Sequence, residues 1–388
     1  MAGSRPRVLI VIGTRPEGIK LAPVIAALEA RRGEVETRTA LTGQHTHLMD
    51  QVLQVFRLDP GWDLGIMREG QDLYDVTHAC LDGLRRVCGE WRPDAIIVEG
   101  DTASVFLGSL VGFYERVRLV GHVEAGLRSH DKWQPYPEEV FRRLTGVIAD
   151  VHFAPTPGAR DNLLREGVPE ERIHLTGNTV VDALATAADA GHAVANAQLR
   201  AALSRDRRTI LMTSHRREAF GEPMRRAFLA IRELVDTFPD TVLVYPVHPN
   251  PNVRAAVQDT LAGHERILLT EPFGYLDLVA ALKHASLVIT DSGGIQEEAP
   301  TFRCRVMVLR EVTERPEAVT AGFARLVGTD PAAILAHGRA ALGGAAETEW
   351  PVGRGNPYGD GRAGERIADL LVHRLTGAAR RTTDWEPA

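Results

Sequence analysis

The stretch Thr290–Glu317 reads T-D-S-G-G-I-Q-E-E-A-P-T-F-R-C-R-V-M-V-L-R-E-V-T-E-R-P-E. Before it, the apolar run Leu287–Ile289 breaks at Asp291, Ser292, Gly293 and Gly294, after which Ile295–Ala299 takes up a helical pattern. The reading is strand, glycine turn, helix start. Such a turn presents unpaired backbone N–H groups and the positive end of a helix dipole, for which phosphate is a fitting ligand. Ser292, Gly293 and Gly294 would then hold a nucleotide, while Glu298 and Arg315 are placed for a ribose diol and a phosphate oxygen. Taken alone, the Ser-Gly-Gly turn reads more readily as an ordinary strand-to-helix connection.

Working outward, the same unit recurs along the chain. Val8–Ile12 is a continuous apolar run, as in a strand covered on both faces, and a helix follows it. Between them lie Arg15 and Lys20, two cations able to neutralise a diphosphate, although surface charge is the commoner role for such residues. Thr37–Leu41 is a second strand, after which His45 and His47 enter a helix. No carboxylate or cysteine cluster joins these histidines, so a solvated helix start is expected there and not a metal site.

Ala95–Val98 ends in Glu99, Gly100 and Asp101, which places Asp101 on the working edge of a parallel sheet; helix capping is its plainer role. The strand expected over Val117–Val123 delivers Glu124 to the same edge, where partial desolvation would raise its pKa and suit it to proton exchange. Tyr136, Pro137, Glu138 and Glu139 open a helix that continues to Arg142.

A second series of strands begins at Thr209–Thr213, followed by Ser214, His215, Arg216 and Arg217 before a long amphipathic helix. That turn suits a diphosphate or a leaving group, with a structural histidine as the alternative. Val242–Val247 runs into His248, and the turn at Pro272–Tyr275 carries Phe273, a packing surface for a base or simply core.

Two series of alternating strands and helices predict an α/β protein of two doubly wound, Rossmann-like domains. The expected domains are 1–178 and 179–363, with a hinge near Thr176–Asp182. A helix at about 364–376 packs back on the first domain, and 377–388 is a polar tail. At 388 residues the chain is long for one core, in keeping with two domains. A net charge of -6 gives no general attraction to nucleic acid or to anionic membrane, so an anionic substrate needs a local basic site. Three scattered cysteines, Cys80, Cys88 and Cys304, form neither a disulfide framework nor a zinc site. No run approaches the ~20 apolar residues of a membrane span, and a cytoplasmic protein is expected. There is no Gly-x-Gly-x-x-Gly fingerprint and no Asp-x-Asp pair, so neither NAD nor a metal is implied.

Seven further blocks accompany the opening stretch in one order: Gly13–Lys20 (G-T-R-P-E-G-I-K), Glu99–Ser104 (E-G-D-T-A-S), Gly121–Arg128 (G-H-V-E-A-G-L-R), Tyr136–Glu139 (Y-P-E-E), His215–Glu218 (H-R-R-E), Tyr245–Pro251 (Y-P-V-H-P-N-P) and Asn356–Gly361 (N-P-Y-G-D-G). Together they closely resemble the signature of the non-hydrolysing UDP-N-acetylglucosamine 2-epimerases, over nearly the whole chain. The resemblance implies a GT-B-like fold, two domains facing a central cleft, a UDP-sugar substrate and a homodimer. It further implies C2 epimerisation of UDP-N-acetylglucosamine to UDP-N-acetylmannosamine through loss and return of UDP. By resemblance Asp101, Glu124 and Glu138 serve proton transfer and sugar positioning, and His215 steadies the leaving UDP.

Four departures stand out. His47 replaces the second glutamine of a Q-H-x-Q block near a second nucleotide-sugar site described for bacterial members. Phe141 stands before Arg142 where the family has asparagine, and Ala219 also replaces an asparagine. Phe302, Arg303, Cys304 and Arg305 replace L-G-K-P, adding two cations beside the nucleotide turn. A hydrolysing epimerase, a GT-B glycosyltransferase and a nucleotide-sugar sensor are the competing readings, the retained acids weighing against the last.

Overall fold

The computed structural model describes residues 5–43, 47–68, 70–204, 206–350, 352–353 and 355–387. His45 lies outside these residues, as does the side chain of His47. Two compact units make up the chain, one of Met1–Ala183 with Tyr358–Ala388 and one of Leu184–Pro357. These divisions differ by a few residues from those expected at 178 and 363. The helix Thr179–Asp189 runs through the first division, and Tyr358 O accepts a hydrogen bond from Asn178 N at 2.7 Å, which ties the last segment to the first unit.

The first unit is built on strands β1 (Arg7–Ile12), β2 (Glu36–Leu41), β3 (Trp62–Asp63), β4 (Ala95–Glu99), β5 (Leu119–Val123), β6 (Val151–Ala154) and β7 (Ile173–Leu175). Their order is β3-β2-β1-β4-β5-β6-β7 and every pair is parallel. A parallel sheet is covered by helices on both faces, and this is why Val8–Ile12 of β1 and Ala95–Val98 of β4 are apolar without alternation and buried. The order reverses between β1 and β4, and ligands of open α/β sheets bind beyond the carboxyl ends of the strands at such a point. β5 starts at Leu119 and not at Val117, because Arg116 takes a left-handed turn at φ 55.

The helix Ala363–Thr376 packs on the helix Arg15–Glu29. Pro23 interrupts the latter's hydrogen-bond ladder, and Gly364 sits against it so closely that a Cβ there would meet the Pro23 carbonyl carbon at 2.7 Å. The final residues do more than trail as a polar tail. Trp385 is buried, its N–H donates to Leu175 O at 2.7 Å, and Asp369 accepts from Arg381 N and Thr382 N at 2.7 and 2.9 Å.

The second unit holds β8 (Arg208–Thr213), β9 (Thr241–Pro246), β10 (Ile267–Thr270), β11 (Ala285–Thr290), β12 (Val306–Val308) and β13 (Ala324–Leu326). They are parallel in the order β10-β9-β8-β11-β12-β13. The helix Glu222–Thr237 buries the expected stripe of Met224, Phe228, Ile231, Leu234 and Val235 against this sheet. Both units thus have the doubly wound architecture expected of a GT-B-like chain. No described helix is long and apolar enough to cross a membrane.

Candidate active site

In the first unit the charged groups gather at the carboxyl ends of β1, β4 and β5. Gly13 N donates to Glu17 Oε2 at 2.6 Å, and the hydroxyls of Thr14 and Thr102 donate to Glu17 Oε1 at 3.0 and 2.8 Å. Burial outweighs these three bonds and, helped by the charge of Asp101, pushes the Glu17 carboxyl up to about 7. Gly13 leaves no room for a side chain, since a Cβ would lie 2.3 Å from Ser104 Oγ. Arg15, Gly13, Thr14, Thr102 and Ser104 line a cavity of about 360 Å³.

Lys20 reaches from the first helix to two carboxylates. It is ion-paired with Glu124 and stands 3.4 Å from Glu99 Oε1. Glu124 follows β5 with φ 60, a left-handed backbone that costs a non-glycine residue roughly 1–2 kcal/mol and aims its side chain off the strand's alternation. Burial raises the Glu99 carboxyl well above the usual range, Lys20 opposes this, and Glu124 adds to it. Beneath the loop lies His122, which burial holds down to about 3 and therefore neutral. Its Nε2 donates to Gly100 O at 2.8 Å and fixes the turn in which Gly100 takes φ 87 just before Asp101.

Asp101 is ion-paired with Arg142 of the helix Glu138–Ile148. Arg142 NH1 is also 3.4 Å from Glu139 Oε2, a carboxylate with no exposed surface that accepts from Ser129 N and His130 N at 3.0 and 3.3 Å. Glu138 is half-buried and makes no ion pair among the described residues. The structure therefore joins Asp101 to Arg142 and Glu124 to Lys20. It gives the inward place at the helix start to Glu139, with Glu138 beside it. Phe141 stacks on Phe106 with ring centres 5.5 Å apart, so the position where the family has asparagine serves packing here.

In the second unit Asp291, at the end of β11, is fully buried. It accepts from Ser214 Oγ, His215 N and Arg216 N at 2.9, 2.7 and 2.9 Å, and His215 Nδ1 is 3.0 Å from its other oxygen. Burial alone would raise the Asp291 carboxyl, yet His215 and the two amides hold it below its usual value. An ionised Asp291 requires the hydrogen of neutral His215 on Nδ1, leaving Nε2 as an acceptor. His215 also stacks on His248, with ring centres 5.7 Å apart.

The Ser-Gly-Gly turn opens the short helix Gly293–Glu298, where Ser292 N donates to Thr290 Oγ1 at 3.0 Å. The Arg315 side chain lies beside Gly293, its guanidinium carbon 3.7 Å from where a Cβ would be, and it is ion-paired with buried Glu297. Glu298 Oε1 is 3.9 Å from the corresponding position on Gly294. Phe273 is buried, as a core residue would be, and Ala219 belongs to the apolar core of the second unit. Arg305 donates to Trp350 O at 2.9 Å and to Ala346 O at 3.2 Å, a structural task and not a ligand contact. Arg303 is exposed and left-handed, at φ 58, in the position that is glycine in the family pattern.

Sequence reasoning passed over Glu17, Glu99, Glu139 and Asp291, buried acids that the structure sets beside the predicted ones. Glu99 was legible as the last residue of an apolar strand, two places before Asp101. Glu139 was not, because the orientation of two adjacent acids depends on the exact start of the helix.

Comparison with known proteins bears on this arrangement. A family model described as UDP-N-acetylglucosamine 2-epimerase matches residues 26–372. The chain is 47% identical over 376 residues to a UDP-N-acetylglucosamine 2-epimerase of Yersinia pestis, covering 95% of this chain and all (100%) of that relative. It is 45% identical over 370 residues to one of Salmonella typhimurium, covering 94% of this chain and 98% of the relative. The solved UDP-GlcNAc 2-epimerase of Neisseria meningitidis, bound to UDP-GlcNAc, matches with a TM-score of 0.85 at 39% identity, over 94% of this chain and 99% of that one.

Proposed function

Because the chain belongs to the UDP-N-acetylglucosamine 2-epimerase family, we propose that it is an isomerase interconverting UDP-N-acetylglucosamine and UDP-N-acetylmannosamine without hydrolysis. The observation that carries this reading is the pairing of Asp101 with Arg142 and of Glu124 with Lys20 at one edge of the first sheet. An epimerisation at C2 needs carboxylates that exchange a proton at carbon, held in place and shielded from bulk water.

The steps follow from that requirement. A carboxylate takes the proton from C2, the C1–O bond to UDP breaks, and a double bond forms between C1 and C2. UDP leaves as an anion carrying the electron pair of the broken bond. Return of a proton to the other face of C2, with re-formation of the bond to UDP at C1, gives the epimer. Asp101 and Glu124 are assigned to proton exchange and Glu138 to sugar positioning, with Arg142 aligning Asp101. Lys20, already engaged by Glu124, belongs to the acid cluster. His215 steadies the departing diphosphate through its free Nε2 side, together with Arg15 and Arg315. Ser292, Gly293, Gly294 and Glu298 hold the nucleotide, and Phe273 supports that loop from the core.

We assign the enzyme to the cytoplasm and to a homodimeric state. The exposed Phe113, Tyr114 and Val147 of the first unit supply apolar surface for a second copy.

The test starts the purified protein from each side of the reaction in turn. UDP-N-acetylglucosamine and UDP-N-acetylmannosamine should reach one mixture with no cofactor added and no free UDP accumulating. Stoichiometric free UDP with N-acetylmannosamine would instead identify a hydrolysing enzyme.

A further inference from the structure

Beyond Asp101, Glu124 and Glu138, Glu99 is an acid of the site that shares an ion-pair partner with a residue assigned to proton exchange. Glu99 ends β4, is 2% exposed, and shares Lys20 with Glu124, the lysine standing 3.4 Å from Glu99 Oε1 and ion-paired with Glu124. The charged groups facing Glu99 come from two elements. Lys20 and Glu17 reach it from the first helix and Glu124 from the loop after β5. Neutral His122, on β5 itself, holds the adjoining Gly100 turn.

Counting charge decides the protonation state. Two carboxylates with one ammonium, all largely buried, would leave a net buried negative charge, and Glu17 close by adds to it when ionised. Retaining one proton on the carboxylate pair removes it. The more buried carboxyl keeps that proton, and its O–H can point only at a neighbouring acceptor.

We propose that Glu99 is a positioning residue for the epimerisation: it carries the proton shared with Glu124 and, by donating it as a hydrogen bond, keeps Glu124 ionised and aimed. Lys20 holds the two together from the other side. Glu99 itself touches no reacting atom. Glu124 receives and returns the substrate proton while the proton of Glu99 stays where it is, so the pair gains one proton in the forward half-reaction and loses it in the return. The inference rests on the assignment of Glu124 in the proposed function.

The experiment compares E99Q, E99L and E124Q as full-length enzymes, with kcat and KM followed across pH. E99Q retains an N–H donor toward Glu124 and should keep kcat within about threefold of the parent near neutrality. Its alkaline limb should shift or vanish, because the shared proton is gone. E99L has no donor and should lose about tenfold or more in kcat with KM little changed. The part of the protonated-carboxyl band in the infrared spectrum at neutral pH that E17Q retains and E99Q loses reads the proton of Glu99 without relying on E99L to fold. If E124Q is inactive while both Glu99 variants match the parent in rate, pH profile and infrared spectrum, Glu99 has no such role. If E124Q retains full activity, the assignment of Glu124 is what fails.

Discussion

Asp291 and His215 lie just beyond the ends of different strands of the second sheet, β11 and β8, with His215 Nδ1 3.0 Å from Asp291 and the backbone N–H of His215 also donating to Asp291. The carboxylate therefore does two tasks: it fixes the imidazole tautomer, and it satisfies the donors of the loop that follows β8. D291N should retain the loop's position in part but present an N–H to Nδ1, turning His215 to the wrong tautomer. A fall of about tenfold to a hundredfold in kcat is expected, with UDP affinity reduced less. D291A should also unfold at lower denaturant, since Ser214, His215 and Arg216 lose an acceptor together, at roughly 3 kcal/mol. Unchanged kcat in D291N would separate His215 from the leaving-group role.

Asp101 gives a cleaner test of catalysis, because its side chain is 30% exposed and contributes little to packing. D101N should reduce turnover by about a hundredfold or more while UDP binding, measured by calorimetry, and thermal stability stay near those of the parent. Loss of stability in step with activity would mean that Asp101 is structural, serving chiefly to anchor Arg142.

Glu17 makes stability depend on pH in a direction opposite to most acids. Its carboxyl ionises at about 7 in the folded chain against 4.5 when unexposed to the fold, so its stabilising contribution is complete below 4.5 and is lost as pH rises through about 7. Asp182, raised to about 6 from 3.8, acts in the same sense. The parent should therefore weaken between mildly acidic and mildly alkaline pH, by up to about 3 kcal/mol from Glu17. Denaturant midpoints for E17Q should show a shallower fall over that range. An equal fall in the two proteins would refute the assignment.

Trp385 tests the closing segment. The residue is buried on the first unit, and its backbone N–H, which W385A keeps, completes a bond to the end of β7. W385A should destabilise the protein by roughly 3–5 kcal/mol, the cost of removing a large buried aromatic, and a chain ending at Gly377 by at least as much. A melting temperature unaffected by either change would show that the segment is only laid on the surface.

How far the sequence could be read follows from the physics of each feature. The central strands β1, β4, β5, β8, β9 and β11 were legible because parallel strands covered on two faces leave apolar runs, whereas the short β3, β10 and β13 were not, and Asp101, Glu124 and His215 were legible because they stand where those runs stop. Glu139 was hidden by its neighbour: which of two adjacent acids turns inward depends on a helix start that only the packed Arg142 and the Ser129 and His130 amides define. Asp291 looked like the break in a strand, since its partners lie 75 to 77 residues away. Trp385 sat in a stretch too polar to suggest burial. The ion pairs of Lys20 are likewise long-range, and nothing local distinguishes a lysine that meets a diphosphate from one that meets two glutamates.

Proton exchange at C2 tests the central claim most directly. Proton NMR of the purified protein with UDP-N-acetylglucosamine in deuterium oxide, with no cofactor added, follows the sugar and the isotope together. The expected result is UDP-N-acetylmannosamine bearing deuterium at C2, with the same exchange appearing in recovered UDP-N-acetylglucosamine and none in D101N. Epimerisation that retains the original hydrogen at C2 would contradict proton exchange through these carboxylates, and an unchanged spectrum would contradict the epimerase assignment itself.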